Sequence, residues 1–441
     1  MPHRLTVCVI LAFAAAAVAA PIDRRTQVLE DRQNVSKDPL WVYNDLEKGK
    51  AQAKESGKPM LIVFRCIPCH ACSGFDAQVL QRAEARMEEL MKKFVCVRIV
   101  YANGMDLQQF QFDYDLSFAA FFMNSDGTIY GRYGTRSDVK ETERDLSMDS
   151  FSKAMEGALE VHKDYPANKA SLTAKRGPVV TVAKPELYPK LTKYTQAPDY
   201  NGQVLQSCIH CHMIGDAQRA ILRQDKKPLT DEVVFPWPMP DVVGLSLDPK
   251  ERAKVTEVAS NSAAAKAGVK VGDEIIKLDG QPILSIADVQ YVLHHTPATG
   301  GSVKASLKRG SETREVSLKL DNGWRRISDI TWRASAWEYR RMGLGGMKPD
   351  DMSDADRKAA NLTATQMAFK LAHVGQYGDH AVAKRAGFEK GDIIIMWDGL
   401  TNRMTESALL AYGVQKKQPG DTIKATILRG GKKMDLKVTL P

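Results

Sequence analysis

The chain has 441 residues, with 62 Lys or Arg residues against 53 Asp or Glu residues. Hydrophobic residues at 44% and charged residues at 26% are ordinary globular usage, which excludes a mainly disordered, collagen-like or polytopic membrane protein. At roughly 150 residues per domain, this length predicts about three domains.

Residues 1–19 have the form of a secretory signal, with a basic start, an apolar run from Leu5 to Val18 and small residues at its end. We expect cleavage after Ala19, which removes Cys8 and leaves a chain that does not span the membrane. Export to the periplasm or cell envelope makes nucleic acid an unexpected partner. The basic excess is spread along the chain and indicates no specific function.

Residues 38–162 alternate between helix and strand patterns, which indicates an α/β layer. The predicted elements are a helix over 44–56, a strand over 60–64, a helix over 75–93, and strands over 95–100, 120–123 and 128–133.

The string Cys66-Ile67-Pro68-Cys69 follows the first predicted strand and is expected to open the next helix. A helix N-terminus and the adjacent Arg65 both favour a thiolate, which predicts Cys66 as the attacking sulfur and Cys69 as the resolving one. Cys72, three residues further on, is expected near the same helix face, so that three sulfurs exchange disulfides or hold a metal. The alternative is a single inert disulfide.

With Gly57-Lys58-Pro59 and the buried strand before the dithiol, residues 41–161 resemble a thioredoxin-like domain. That family carries a cis-proline opposite the dithiol, and Ala119 occupies the corresponding position here. This departure favours an alternative in which the thioredoxin fold is vestigial and the protein is a non-catalytic envelope adaptor.

Residues 163–200 are predicted to form an extended linker, because five prolines lie among Lys, Ala and Thr with few large apolar residues. The prolines are Pro166, Pro178, Pro185, Pro189 and Pro198.

Residues 201–241 contain the string Cys208-Ile209-His210-Cys211-His212, the attachment pattern of c-type haem. On this interpretation Cys208 and Cys211 bind the porphyrin edge, His212 binds the iron, and Met239 or Met213 is a sixth ligand. A haem there would relay electrons. The rival interpretations are a zinc site using Cys208, Cys211 and a histidine, or a plain disulfide.

An internal repeat occupies the C-terminal part, where residues 264–276 are echoed by residues 383–395. Each copy continues into an Asp-Gly turn, a helical stretch and a strand that closes in Arg-Gly. The copies resemble PDZ domains over 242–320 and 342–441, separated by a connector over 321–341.

This resemblance implies that a loop of each PDZ-like copy binds a peptide carboxylate while the next strand pairs with the peptide. A polar insertion over 348–366 is expected to cover the second groove, and the alternative for either module is that it only packs against its neighbours. The loop residues are Gly244, Leu245, Ser246 and Leu247 in the first copy, and Gly343, Leu344, Gly345 and Gly346 in the second.

The whole architecture resembles a bacterial family of thioredoxin-like/PDZ fusion proteins, some of which are selenoproteins. It predicts a multidomain fold in which an α/β thioredoxin-like domain precedes the Cys-x-x-Cys-His segment and two PDZ-like domains. The expected function is thiol-disulfide redox chemistry on peptide or protein clients that the PDZ-like modules recruit. A protease or protease regulator is less favoured, because the sequence contains no Gly-x-Ser-x-Gly or His-Glu-x-x-His string.

Overall fold

The computed structural model describes residues 23–69, 71–82, 85–138, 144–194 and 197–441. The predicted signal over 1–19 lies outside the described residues.

The first domain is a five-stranded sheet in the order β1-β3-β2-β4-β5 with helices on both faces. Strands β1, β2 and β3 are parallel, and β4 and β5 are antiparallel. Its elements are α1 (Arg24–Val35), β1 (Trp41–Tyr43), α2 (Leu46–Ser56), β2 (Met60–Arg65), α3 (Ser73–Gln81), α4 (Ala85–Met91), β3 (Val95–Ile99), β4 (Phe118–Met123), β5 (Ile129–Tyr133) and α5 (Met148–Lys163).

Strand β2 is buried along its whole length because both faces of the sheet are covered. Leu61 and Val63 face a core that also contains residues of α3, α4 and α5. Met60 and Ile62 face the other core, which contains residues of α2 and of the segment after residue 185.

The segment between the first domain and the first PDZ-like module packs against the sheet. Leu191, Tyr194, Ile209, Ile214 and Ala217 are all buried in the second core of the thioredoxin-like domain. The segment contains α6 (Lys169–Leu172), α7 (Val204–Ser207), α8 (Cys211–Gln224), α9 (Asp231–Val234) and short 3₁₀ helices at Thr173–Lys175, Pro185–Leu187, Pro189–Tyr194 and Pro240–Val243.

This packing differs from the two sequence-based expectations for the segment. Residues 163–194 and 197–200 follow the irregular path that their prolines favour, but they lie against the domain instead of forming an extended linker. The Cys-x-x-Cys-His string, expected outside both folds, begins α8. Cys211, Ile214 and Ala217 recur every three residues along α8, which gives the helix an apolar face that the sheet buries.

The third part of the chain folds around a four-stranded sheet, β11-β10-β8-β9, and a two-stranded sheet, β6-β7. Its elements are β6 (Leu245–Leu247), β7 (Val255–Val258), α10 (Ala263–Lys266), β8 (Glu274–Leu278), β9 (Gln281–Pro282), α11 (Ile286–His295), β10 (Gly301–Arg309) and β11 (Glu312–Leu320).

The last part is an antiparallel five-stranded sheet in the order β12-β13-β14-β15-β16. It contains α12 (Ala336–Leu344), β12 (Met347–Asp351), α13 (Asp354–Ala359), β13 (Phe369–Val374), α14 (Val382–Arg385), β14 (Ile393–Trp397), α15 (Glu406–Lys416), β15 (Thr422–Arg429) and β16 (Lys432–Thr439), with 3₁₀ helices at Trp324–Ile327 and Gly378–Ala381.

The internal repeat is visible as one ion pair in each copy, between a buried carboxylate and a partly exposed arginine. Arg309 binds Asp273 through two hydrogen bonds of 2.6 and 2.7 Å, and Arg429 binds Asp392 through two of 2.7 Å. In both copies the arginine comes from the Arg-Gly that ends a strand, and the carboxylate comes from the Gly-Asp of the repeat. The repeated motif therefore forms the same ion pair at the equivalent position of each module.

Helix α11 joins the first PDZ-like module to the thioredoxin-like domain. Asp288, which is 1% exposed, accepts hydrogen bonds from Lys175 Nζ at 2.8 Å and from the backbone N–H of Arg132 on β5 at 3.2 Å. The connector docks on the same domain, since Arg333 Nη1 lies 2.7 Å from the Asp113 carboxylate. The three parts are thereby held together by buried polar contacts.

Among the described residues, no helix is both long and apolar enough to cross a bilayer.

Candidate functional site

Cys66 and Cys69 lie in a turn directly after β2, at the end of the sheet. The backbone N–H of Cys66 donates to Ser117 O at 3.0 Å, and that of Cys69 donates to Cys66 O at 3.1 Å. Helix α3 begins only at Ser73. The dithiol therefore precedes the helix by one turn of irregular backbone, whereas the sequence predicted that it opens the helix.

Arg65 holds the Cys66–Cys69 turn through its guanidinium group. Its guanidinium donates to Cys69 O at 3.1 Å and Ser117 O at 3.1 Å, and pairs with Asp76 Oδ2 at 3.0 Å. Asp76 also binds Arg98 at 2.8 Å, and both side chains are buried. Because its charge is shared with Asp76, Arg65 acts mainly as a clamp on the loop, and its attraction lowers the pKa of Cys66 less than the other contacts raise it.

The two sulfurs are poised for reaction with each other. Cys66 Sγ and Cys69 Sγ are 2.7 Å apart, and both residues are half-buried free thiols. A disulfide has an S–S bond of about 2.05 Å, so closing the pair requires a movement of about 0.7 Å.

A histidine from the second cysteine string completes the cluster. His210 Nδ1 lies 3.0 Å from Cys66 Sγ. The donor atoms of Cys66, Cys69 and His210 all lie within 4.8 Å of one another. Sequence reasoning treated the two strings as separate sites, and no local signal links residues so far apart in the chain.

The contacts around the dithiol separate the two thiols in acidity. The pKa of Cys69 is lowered, first because its sulfur shares a hydrogen bond with the Cys66 thiol and then because the imidazoles of His210 and His212 stabilise the thiolate against the effect of burial. The pKa of Cys66 is raised well above its usual value by that shared hydrogen bond and by burial. The contacts thus favour a single thiolate in the pair, and the assignment of the attacking thiolate to Cys66 stays a prediction.

Cys72 has a different environment from the other two sulfurs. It is 2% exposed in the core of the thioredoxin-like domain, with a backbone φ of 62°, and it caps α3. The expected placement of three sulfurs on one helix face does not occur, because the helix begins after Cys72. Cys96 is buried on β3, and burial raises its pKa.

Asn103 holds the second string in place over the dithiol. Its side chain is fully buried, accepts from the backbone N–H of Ile209 at 2.7 Å and donates to Ser207 O at 2.9 Å. His210 follows as the residue before α8. Asn103 is therefore a positioning residue for the His210 imidazole, one that the sequence analysis missed.

The described side chains do not converge on a site for c-type haem. Cys208 and Cys211 line a cavity of about 30 Å³ together with Cys66, whereas small-molecule pockets typically measure about 300–1,000 Å³. His212 lines a different cavity of about 460 Å³ and faces Asp216 at 3.5 Å. Met239 Sδ accepts from Thr135 Oγ1 at 3.3 Å.

A porphyrin needs both cysteines and the histidine on one wall of a pocket. Since Cys208 and Cys211 line one cavity and His212 another, the residues present do not fit haem. The rival zinc site on the second string is not formed either, because the donor cluster among the described residues draws on Cys66, Cys69 and His210.

The first PDZ-like module keeps an open loop at the predicted peptide-binding position. Gly244 has φ 86°, and Leu245, Ser246 and Leu247 form the short strand β6 after it. An open cavity of about 530 Å³ lies against this loop on the side of β6 and β7, and its lining residues do not include α11. The neighbouring helix α11 is buried from residue 286 to residue 293.

The second module differs from the prediction at the same point. Gly343 and Leu344 belong to α12 and are buried, and only Gly345 and Gly346 lie in a left-handed turn. The backbone N–H of Gly346 donates to Arg340 O at 2.9 Å, as at an ordinary helix C-terminus. The predicted loop is therefore partly a helix end, because helix-forming residues from Ala336 onward continue through Gly343.

Helix α12 also packs tightly on α15, the helix that a PDZ fold uses to line its groove. A Cβ built on Gly343 would lie 3.1 Å from Gly413 Cα, and Arg340 Nε binds Glu406 Oε1 at 2.7 Å. The insertion over 348–366 forms most of β12 and the helix α13, and β12 contacts both α12 and α15. Both α12 and β12 thus lie against the groove helix.

Comparisons with known proteins agree with the domain organisation. A thioredoxin-like family model matches residues 41–125, and a PDZ domain model matches residues 240–320 and 378–440. A probable periplasmic serine protease do/HhoA-like of Haemophilus influenzae is 28% identical over 181 residues, which is 41% of this chain and 34% of that protein. The periplasmic pH-dependent serine endoprotease DegQ of Escherichia coli is 41% identical over 103 residues, which is 23% of this chain and 22% of that protein.

The chain thus spans about a third or less of the length of these two relatives. Among solved structures, the HtrA3 PDZ domain bound to a phage-derived ligand is 25% identical, with a TM-score of 0.15, and covers 18% of this chain and 81% of that chain. The chain consists of a thioredoxin-like domain followed by two PDZ domains, as the sequence predicted.

Proposed function

We propose that the protein is an exported thiol-disulfide redox protein that acts on peptide or protein clients. The observation that carries the proposal is the pair of half-buried free thiols, 2.7 Å apart, at the end of β2. The names of the relatives, which are periplasmic proteins, support export.

The reaction needs only the two sulfurs and a client disulfide. One sulfur of the pair attacks as a thiolate, forms a mixed disulfide with one client sulfur and releases the other as a thiol or thiolate. The second sulfur of the pair then attacks the mixed disulfide, and the client leaves fully reduced while Cys66 and Cys69 become a disulfide. In reverse, the same steps oxidise a client dithiol.

The PDZ domains supply client recruitment in this proposal. A strand edge next to a glycine-containing loop captures an extended peptide through main-chain hydrogen bonds. The open cavity at Gly244 and β6 supports the first PDZ domain as the recruiting module, and the packing of α12 on α15 supports a structural role for the second.

The protease activity of the relatives is not part of the proposal. Their similarity covers 34% and 22% of their lengths, and this sequence lacks the Gly-x-Ser-x-Gly and His-Glu-x-x-His strings.

A second candidate is a non-catalytic adaptor with a vestigial thioredoxin fold. It is favoured by Ala119 on β4, at the position of the family's cis-proline, and by the Cys208–Cys211 string, which lies over the dithiol and narrows client access.

A peptide carrying one mixed disulfide with glutathione separates the two candidates. The redox proposal predicts that the wild-type protein releases glutathione, that Cys66→Ser and Cys69→Ser both stop turnover, and that one of them accumulates a covalent complex with the peptide. Equal slow release from the wild type and both variants would contradict the redox proposal and leave the adaptor.

A further inference from the structure

The reduced dithiol and His210 together have the composition of a metal site. We propose that Cys66, Cys69 and His210 bind one thiophilic metal ion, with Zn²⁺ the best match to this donor set. The covalent steps of thiol exchange take place on the two sulfurs, whereas a bound metal ion would also use the imidazole as a ligand.

The donor atoms are close to the separation that a tetrahedral zinc site requires. With Zn–S bonds of about 2.3 Å and a Zn–N bond of about 2.0 Å, the sulfurs lie about 3.8 Å apart and each sulfur lies about 3.5 Å from the nitrogen. The observed separations are 2.7 Å for the sulfurs and 3.0 Å for Cys66 Sγ to His210 Nδ1, and all three atoms lie within 4.8 Å. Side-chain rotations that move these donor atoms apart by about 1 Å or less would bring them to the separations of a zinc site.

The position of the His210 imidazole is fixed by the protein without a metal ion. The backbone on either side of His210 is fixed, since Asn103 binds the N–H of Ile209 at 2.7 Å and Cys211 starts the buried face of α8. A preformed ligand orientation of this kind raises metal affinity.

The charge balance also favours a divalent thiophilic cation. Two thiolates neutralise Zn²⁺, so the occupied cluster places no net charge in a half-buried pocket. The cavity of about 30 Å³ beside Cys66, lined also by Cys211, has room for one water molecule as a fourth ligand. Cys₂His with an open fourth position is a known zinc arrangement, and soft sulfur donors also accept Cu⁺.

A metal ion bound at this site would prevent the dithiol from forming its disulfide. A bound ion needs both sulfurs as thiolates and separates them, so the metal and the Cys66–Cys69 disulfide exclude each other. Metal binding would keep the dithiol reduced.

The test uses the full mature chain, reduced and stripped of metal, titrated separately with Zn²⁺ and Cu⁺ against a chromophoric chelator. We expect one Zn²⁺ per chain, at least tenfold weaker binding in His210→Ala, and unchanged binding in His212→Ala as the matched control. Co²⁺ in place of Zn²⁺ should show thiolate-to-metal absorption that Cys69→Ser removes.

Absence of stoichiometric Zn²⁺ binding, or equal affinity of the wild type and His210→Ala, would overturn the proposal. Tighter Cu⁺ than Zn²⁺ binding with the same three-residue dependence would support the site and reassign its ion. Loss of binding in Cys208→Ser but not in Cys69→Ser would place the ion on the second string and also overturn it. Glutathione release by the wild-type protein, measured in parallel, reports the redox function independently.

Discussion

The buried pair of Lys175 and Asp288 is expected to hold the first PDZ domain against the thioredoxin-like domain. Both side chains are 1% exposed, and Asp288 accepts from Lys175 Nζ at 2.8 Å, from Arg132 N at 3.2 Å and from Leu284 N at 3.0 Å. Asp288→Asn removes the charge but keeps the shape. It leaves a buried ammonium without its partner, which costs about 3–5 kcal/mol.

A partly exposed ion pair between α5 of the thioredoxin-like domain and the first PDZ domain provides the control. Lys153 Nζ lies 2.7 Å from Glu251 Oε1, but these side chains are 31% and 35% exposed. Water screens this pair, so Glu251→Gln should cost at most about 1 kcal/mol.

The assay is hydrogen exchange along β5 and α11 as a function of urea, which gives the free energy of the opening that exposes the interface. A double-mutant cycle with Lys175→Met should show that the double variant recovers about 2 kcal/mol relative to the sum of the single losses. If Asp288→Asn lowers the free energy of opening by less than about 1 kcal/mol, as in the Glu251→Gln control, then the buried pair does not hold this interface.

The same variant has a predictable pH dependence. Burial lowers the pKa of Lys175 from its ordinary value of 10.5, and the Asp288 carboxylate opposes that effect. In Asp288→Asn the folded state therefore binds fewer protons than the unfolded state between the lowered pKa and 10.5. Stability should rise with pH across that window, and a fall would contradict the assigned cause.

Three further predictions concern the thiols, the peptide loop and haem. Cys72→Ser should retain glutathione release that Cys66→Ser and Cys69→Ser lose, because Cys72 lies in the core; equal loss in all three would restore a three-sulfur site. Gly244→Ala places a Cβ 2.1 Å from a serine side chain and should weaken the binding of free-carboxylate peptides from a library at least tenfold, as measured by fluorescence polarisation. Gly272→Ala, at a position with φ 89° and open space around the added Cβ, should not weaken this binding. Equal peptide binding by the two variants would place the peptide site elsewhere. Protein exported from cells competent in cytochrome c maturation should show no covalent haem in its visible spectrum, and a haem spectrum lost on replacing the second cysteine string would show that this string has a different arrangement.

Much of the fold was predictable because its signals are local. The buried strand 60–64, the repeat and the Arg-Gly ends each follow from short patterns, and the repeat proved to carry the same Asp–Arg pair twice. The start of α3 at Ser73 was not predictable from the dithiol alone, because Arg65 holds the turn through contacts with Ser117 and Asp76.

Local sequence patterns did not reveal that His210 belongs to the same site as Cys66 and Cys69. His210 reaches Cys66 only because the apolar face of α8 packs on the sheet and Asn103 binds the preceding backbone. Within its own string His210 is indistinguishable from a spacer of a haem motif. A tertiary contact across 144 positions decides its role.

The redox function requires a reversible disulfide between Cys66 and Cys69, and mapping that disulfide is the most direct test. The mature chain is equilibrated in glutathione buffers of graded potential, its free thiols are alkylated, and its disulfides are identified by mass spectrometry. We expect a Cys66–Cys69 disulfide that forms and is reduced reversibly, while Cys72 and Cys96 remain thiols at every potential. Cys66 and Cys69 that stay reduced in the most oxidising buffer, or that pair with Cys208 or Cys211 instead, would contradict this expectation.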